Sequence, residues 1–224
     1  MKLGLNNSIK NRVAEDGDWS PSDVSSLVHW YKYDTSIIQT GGGEITSWRD
    51  NEGSNDLTAS GDETDSPEYD NGAVKFVESG DDLDWGTPLS LGTFSIYLRY
   101  ETNDVEVDWI VKGGNTDWIK LHDETNFRVK IGTRMDFDIS GISADTKVNI
   151  GVDRASNGDV GVHIDNHAQS VAGGYTDNVA TSTTFDLTKV GSPLQTVKVY
   201  EIVIFNDVLS SGDKTLLNTY LNTI

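Results

Sequence analysis

Residues 94–100, Phe94-Ser95-Ile96-Tyr97-Leu98-Arg99-Tyr100, decide the fold class. Phe94, Ile96, Leu98 and Tyr100 fall on one side of an extended chain, because successive side chains of a strand point to opposite faces. Val105, Val107, Trp109 and Val111 repeat the pattern before Gly113-Gly114 closes it. That spacing predicts a second strand whose dry face includes Trp109 and whose wet face carries Glu106 and Asp108.

Toward the C-terminus the same signals recur at short intervals. Trp118-Ile119-Lys120-Leu121 and Phe127-Arg128-Val129-Lys130-Ile131 are separated by an Asp/Glu/Asn turn and predict a hairpin. A second hairpin is expected where Lys147–Val152 and Val160–Ile164 flank Ser156-Asn157-Gly158-Asp159, since Asn-Gly tolerates positive φ. Val197 to Phe205 alternates first and then becomes wholly apolar, as a central strand does. After it, Ser210-Ser211-Gly212-Asp213 offers capping groups, and Leu216, Leu217, Tyr220 and Leu221 recur at helical spacing. One short amphipathic helix is expected there.

Toward the N-terminus, Leu27–Tyr33, Ile45–Trp48 and Ala73–Val77 read as strands, with Gly41-Gly42-Gly43 and residues 50–55 as loops. Ser20-Pro21-Ser22-Asp23 resembles a helix or turn start. Residues 1–20 show little periodicity and are expected to form an arm outside a single domain of residues 21–224. Leu3, Leu5, Ile9, Arg12 and Trp19 are the residues with which that arm would anchor to a neighbouring subunit. A frayed terminus is the alternative. Many short strands joined by Gly, Asn and Asp turns mean an all-β sandwich or barrel.

Composition narrows the partners. The 224 residues include 36 acidic and 17 basic side chains, for a formal charge of −19. That balance opposes nucleic acid and anionic membranes, which need a positive footprint. With no cysteine, the core stands on packing without disulfides or thiolate metal sites. Met1–Asn7 lacks the apolar stretch of an export signal, so the expectation is a protein assembled in a cytoplasm.

Four pieces in order resemble the concanavalin A-like lectin/laminin-G superfamily. They are Leu27–Asp34; Trp48-Arg49-Asp50 with Gly53-Ser54-Asn55-Asp56-Leu57; Pro67-Glu68-Tyr69 with Val74-Lys75-Phe76 and Leu83; and Val199–Ser210 with Leu217, Tyr220 and Leu221. The resemblance implies a two-sheet antiparallel jelly-roll sandwich with a short C-terminal helix. The opening Met1–Ile9, run directly into such a domain, is similar to structural proteins of tailed phages, marine ones in particular. That similarity implies a virion surface protein, either capsid decoration or a tail or fibre component. It would assemble in the host cytoplasm and bind other virion proteins, or itself as a symmetric oligomer. The alternative function is a calcium-dependent carbohydrate-binding module for host glycans.

Catalysis is poorly provided for. Retaining glycosidases of this fold pair two carboxylates about 5–5.5 Å apart. Here Glu106-Val107-Asp108 begins such a motif, but Val111 and Lys112 stand where its closing Glu belongs. No enzyme is expected. The calcium candidates are Asp34, Asp50 and Asp56 on family-like loops, although Asp-rich loops also form turns by capping their own backbone. His163 and His167 have helical metal-ligand spacing in a stretch that alternates as a strand, so zinc is not expected. Of six tryptophans, Trp30, Trp48 and Trp109 fall within strand patterns and are expected to be buried. Trp85 and Trp118 lie near loops and are the candidates for stacking on a sugar.

Overall fold

A computed structural model describes residues 19–59, 66–77, 80–105, 108–191 and 195–224. Its strands are β1 (Leu27–Tyr31), β2 (Ile37–Gln39), β3 (Ile45–Trp48), β4 (Leu57–Ala59), β5 (Glu68–Asp70) and β6 (Ala73–Phe76). There follow β7 (Asp82–Leu91), β8 (Phe94–Thr102), β9 (Asp108–Gly113), β10 (Asp117–Asp123), β11 (Asn126–Ile131) and β12 (Thr133–Asp138). The last six are β13 (Val148–Arg154), β14 (Val160–Ile164), β15 (His167–Ala168), β16 (Ser170–Val171), β17 (Phe185–Gly191) and β18 (Val197–Phe205). A 3₁₀ turn, Pro21–Asp23, precedes them, and helix α1 (Ser211–Leu221) ends the chain.

The strands form two antiparallel sheets. The first has the order β15-β14-β13-β8-β18-β6-β5, with β1 also paired to β18. The second has the order β16-β12-β11-β10-β9-β17-β7-β4-β3-β2. The inward residues of both sheets make one core: Phe94, Ile96, Leu98 and Tyr100 of β8 meet Ile119 and Leu121 of β10 and Phe127, Val129 and Ile131 of β11. Phe94 stacks on Phe185 across the two layers, ring centres 5.2 Å apart. Such a pair contributes about 0.5–1.5 kcal/mol beyond its buried area. The expected antiparallel sandwich is therefore the observed architecture.

The two predicted hairpins pair as expected, β10 with β11 and β13 with β14. In the second hairpin, of Asn157 and Gly158, Gly158 alone takes positive φ, at 93°. A side chain there would also collide with the Val179 carbonyl, so the turn requires glycine twice over. α1 begins at Ser210, whose Oγ accepts the Asp213 backbone N–H at 3.1 Å, a side-chain N-cap. The helix lies on the outer face of the first sheet. There Leu217 and Leu221 join Trp30, Tyr97, Val203 and Phe205 in a second apolar cluster. Among the described residues no helix covers the outer face of the second sheet.

Three strands that build this face, β7, β12 and β17, have no clean alternation and were not anticipated from sequence. β9 departs from its predicted pattern. Ile119 pairs with Val111 while Lys120 pairs with Trp109, so Ile110 is an extra residue in the ladder. Ile110 and Val111 both enter the core, and Trp109 turns to the outer face, where it is half-buried. The expectation of a dry-face Trp109 is corrected by this bulge. Val107 and Glu106 lie outside the described residues.

Candidate functional site

The site follows from strand alternation on the second sheet. Ile119 and Leu121 point inward on β10, so Trp118, Lys120 and His122 point outward. Phe127, Val129 and Ile131 point inward on β11, which leaves Arg128 and Lys130 outside. On β12, Met135 and Phe137 are core residues, and Arg134 and Asp136 face out.

Register then aligns these side chains across the strands. One row runs Lys189 (β17), Lys112 (β9), Trp118 (β10), Lys130 (β11) and Arg134 (β12), each the direct cross-strand partner of the next. The adjacent row runs Trp109, Lys120, Arg128 and Asp136. Six of the chain's 17 basic residues thus stand on one face: Lys112, Lys120, Arg128, Lys130, Arg134 and Lys189. Three cross-strand pairs oppose cation to cation: Lys189 with Lys112, Lys130 with Arg134, and Lys120 with Arg128. Like charges directly opposite destabilise a sheet, by an amount of order 0.2–1 kcal/mol per pair.

Neutralisation is partial. Asp136 meets both Arg128, at 3.0 Å, and Arg134, at 2.9 Å, so one buried carboxylate serves two guanidinium groups. Lys189 pairs with Asp82 at 2.6 Å and Asp84 at 3.5 Å. Lys112, Lys120 and Lys130 have no carboxylate partner among the described residues. Lys130 Nζ donates to the Asn115 carbonyl at 2.8 Å. Lys120 and Lys112 lie over the Trp109 indole, 4.5 and 5.3 Å from its centre, and Lys120 also lies 5.1 Å from the Trp118 ring centre. The indoles meet edge to face, centres 5.3 Å apart. At the rim, the Arg134 guanidinium sits 4.9 Å from the Tyr175 ring centre. Burial, followed by the charges of Arg128 and Arg134 and opposed by Asp136, holds the Lys120 ammonium below the usual lysine range. An anion placed here would relieve that crowding. Beyond Lys120, the buried His122 Nδ1 has no hydrogen-bond partner among the described residues.

Trp118 belongs to this face, but only 7% of it is exposed, because Trp109 and the lysines cover it. Trp85 is a correction: it is 4% exposed, lies in the core, and donates its indole N–H to Tyr31 Oη at 2.7 Å. β7 runs through the loop-like Asp84-Trp85-Gly86, which is why a loop position was expected. Trp30 and Trp48 are buried, as anticipated. Trp19 packs against Tyr220 of α1, ring centres 6.1 Å apart. Leu3, Leu5, Ile9 and Arg12 lie outside the described residues, as does Glu106.

Asp34, Asp50 and Asp56 do not assemble into a metal site, and no such cluster exists among the described residues. Asp50 is the keystone of its loop. Its Oδ1 accepts backbone N–H groups of Trp30 (3.0 Å), Glu52 (3.2 Å) and Gly53 (3.0 Å). Its Oδ2 accepts that of Asn55 (3.3 Å) and meets His29 Nδ1 at 2.7 Å. Asp56 accepts the Asp50 backbone N–H at 2.9 Å, and Asp34, at φ 56°, accepts the Tyr69 hydroxyl. Both Asp50 oxygens are thus taken up by hydrogen bonds within the loop and to His29. His163 meets Asp153, which also takes Lys214 of α1, so that pair fixes the helix to the first sheet. A pocket of about 470 Å³ opens at one end of the sandwich beside Asp104, Glu124, Ile139 and Ile142, its acidic sign opposite to that of the face.

Sequence reasoning missed Lys112, Lys120, Lys130 and Arg134. The wet positions of the first hairpin, Lys120, Arg128 and Lys130, were a legible signal: all three are cations in a strongly acidic chain.

No family model matches the chain, and no curated protein matches it in sequence. Among solved structures it is similar to Trypanosoma rangeli sialidase in complex with sialic acid, at 13% identity and TM-score 0.63, over 89% of this chain and 33% of that one. It is similar to the binding domain of botulinum neurotoxin DC in complex with SialylT, at 12% identity and TM-score 0.61, over 90% of this chain and 52% of that one. It is also similar to the ligand-binding domain of botulinum neurotoxin serotype D in complex with N-acetylneuraminic acid, at 11% identity and TM-score 0.59, over 86% and 50%. The chain spans about a third of the sialidase and about half of each toxin domain. At these identities the likeness establishes the fold alone, a two-sheet antiparallel β-sandwich.

Proposed function

We propose that this domain binds carbohydrate on the outer face of its second sheet and acts by association, without catalysis. One observation carries the reading: a chain with twice as many acids as bases sets cation against cation three times around a tryptophan pair. Packing does not call for that arrangement, and it costs stability. A bound ligand with negative groups would repay it. Indoles suit the apolar C–H faces of a sugar ring, and ammonium groups suit its hydroxyl and acidic oxygens. Two of the fold neighbours are complexes with sialic acid or N-acetylneuraminic acid, which supports the reading by analogy of fold.

The reading needs no calcium, because lysines supply the positive charge. On a phage particle, as the sequence resemblance implies, such a face would be an adhesin for the host surface. Capsid decoration alone would not require the opposed cations.

The test is a glycan array followed by calorimetric titration of the best ligands. The wild-type chain should bind at least one glycan at millimolar affinity or better. Trp109→Ala should lose that binding by tenfold or more while staying folded. An array with no ligand, or undiminished binding by the variant, rejects the site.

A further inference from the structure

We infer that the ligand is an extended acidic glycan lying across the strands, its carboxylate or sulfate groups held by Lys112, Lys120 and Lys130. This deepens the carbohydrate reading above and rests on it.

The shape of the charged area gives the direction. The row from Lys189 to Arg134 crosses five strands. Strands lie about 4.8 Å apart, so the row is about 19 Å long. Along the strands the basic area is only two rows deep, about 7 Å, since alternate residues of one strand repeat at that distance. A single sugar ring would fill a fraction of the row. A chain of sugars laid perpendicular to the strands would use all of it.

Charge gives the chemistry. Arg128 and Arg134 already share Asp136, and Lys189 already has Asp82 and Asp84. The three lysines that have no carboxylate partner among the described residues lie between these neutralised ends. Lys112 and Lys130 flank Trp118 on either side, about 10 Å apart at two strand spacings, with Lys120 in the next row. That is a spaced set of single charges, suited to acidic groups that recur along a flexible chain.

A nucleic acid fits less well. It needs a broad positive field. Here the net charge is −19, and the basic area is only two rows deep. Surface charges are screened beyond about 8–10 Å, so the face is felt at contact range despite the acidic remainder.

The experiment measures binding of the full chain to heparin (sulfated), colominic acid (carboxylated), dextran (neutral), poly-L-aspartate and a single-stranded oligonucleotide, each across a sodium chloride series. Expected are tenfold or tighter binding of heparin or colominic acid over dextran, weakening with salt. Lys112→Ser with Lys120→Ser should lose at least tenfold for the acidic glycan, with no fall in melting temperature. Equal binding of dextran overturns this inference and leaves the carbohydrate reading standing. Failure to bind heparin and colominic acid overturns this inference, and failure to bind any glycan on the array overturns both. Equal binding of poly-L-aspartate or the oligonucleotide reduces the face to ion exchange and overturns the inference.

Discussion

Lys120 on β10 stands directly opposite Arg128 on β11, and its ammonium rests 4.5 Å from the Trp109 ring centre. Two cations held face to face by sheet register store a small repulsion that a ligand can release. Lys120→Gln should therefore leave the melting temperature unchanged or raise it by about one degree, as removing a few tenths of a kcal/mol of repulsion would. The same variant should lose at least tenfold in glycan affinity. Because burial and its arginine neighbours lower the Lys120 pKa in the folded state, the unfolded chain binds more protons there. Wild-type stability should rise with pH between the lowered value and the ordinary lysine value, and in Lys120→Gln that contribution should vanish. Thermal melts from neutral pH to pH 10 decide this; a variant that melts well below wild type would refute the repulsion.

Trp85 and Trp109 should separate stability from binding. Trp85 is a core side chain whose indole N–H is bonded to Tyr31, so Trp85→Ala should cost about 3–5 kcal/mol, measured by urea unfolding. Its folded fraction should retain glycan affinity. Trp109→Ala should cost less than half as much and abolish binding. The reverse pattern would place the ligand elsewhere.

Calcium should have no role at the binding face. Chelation with EDTA should leave glycan affinity within twofold, and millimolar calcium should shift the melting temperature by less than about one degree, because no cluster of metal-ligating side chains exists among the described residues. Asp50→Ala, in contrast, should destabilise the fold, because it strands several backbone N–H groups at about 1–3 kcal/mol for each buried donor left unpaired. Restoration of that variant by calcium would contradict the hydrogen-bonded role.

Glu201 should make the domain pH-sensitive. It is buried, accepting the Trp30 indole N–H at 2.6 Å and the Tyr33 backbone N–H at 3.1 Å, with Tyr220 also bonded to it. Burial raises its pKa despite those donors. A carboxyl raised on folding contributes stability that is complete below its unfolded value and lost as pH rises through the folded one. Stability should fall as pH climbs above the ordinary glutamate range, and Glu201→Gln should flatten that fall. Glu201→Ala should lose about 1–3 kcal/mol at the acid end of the range, because Trp30 loses its acceptor, and that deficit should shrink as pH rises. Chemical denaturation of the three proteins between pH 4 and 8 provides the comparison.

The sequence by itself determined the layered architecture. Alternation in residues 94–100 and 127–131, the glycine-bearing turn at Gly158 and the serine cap at Ser210 are local properties, written within a few residues of where they act. Tertiary structure decided the site. Whether Lys120 faces Arg128 depends on the register of two strands, and whether Trp109 points outward depends on one extra residue in β9. The composition of a strand cannot fix its partner's alignment, because a one-residue shift moves every side chain to the other face. Trp85 was misjudged for the same reason: its glycine and aspartate neighbours describe a loop locally, while pairing to β4 and β17 draws it into the core. Pairing is a long-range interaction, and the physical role of each tryptophan and lysine was settled by what the second sheet placed beside it.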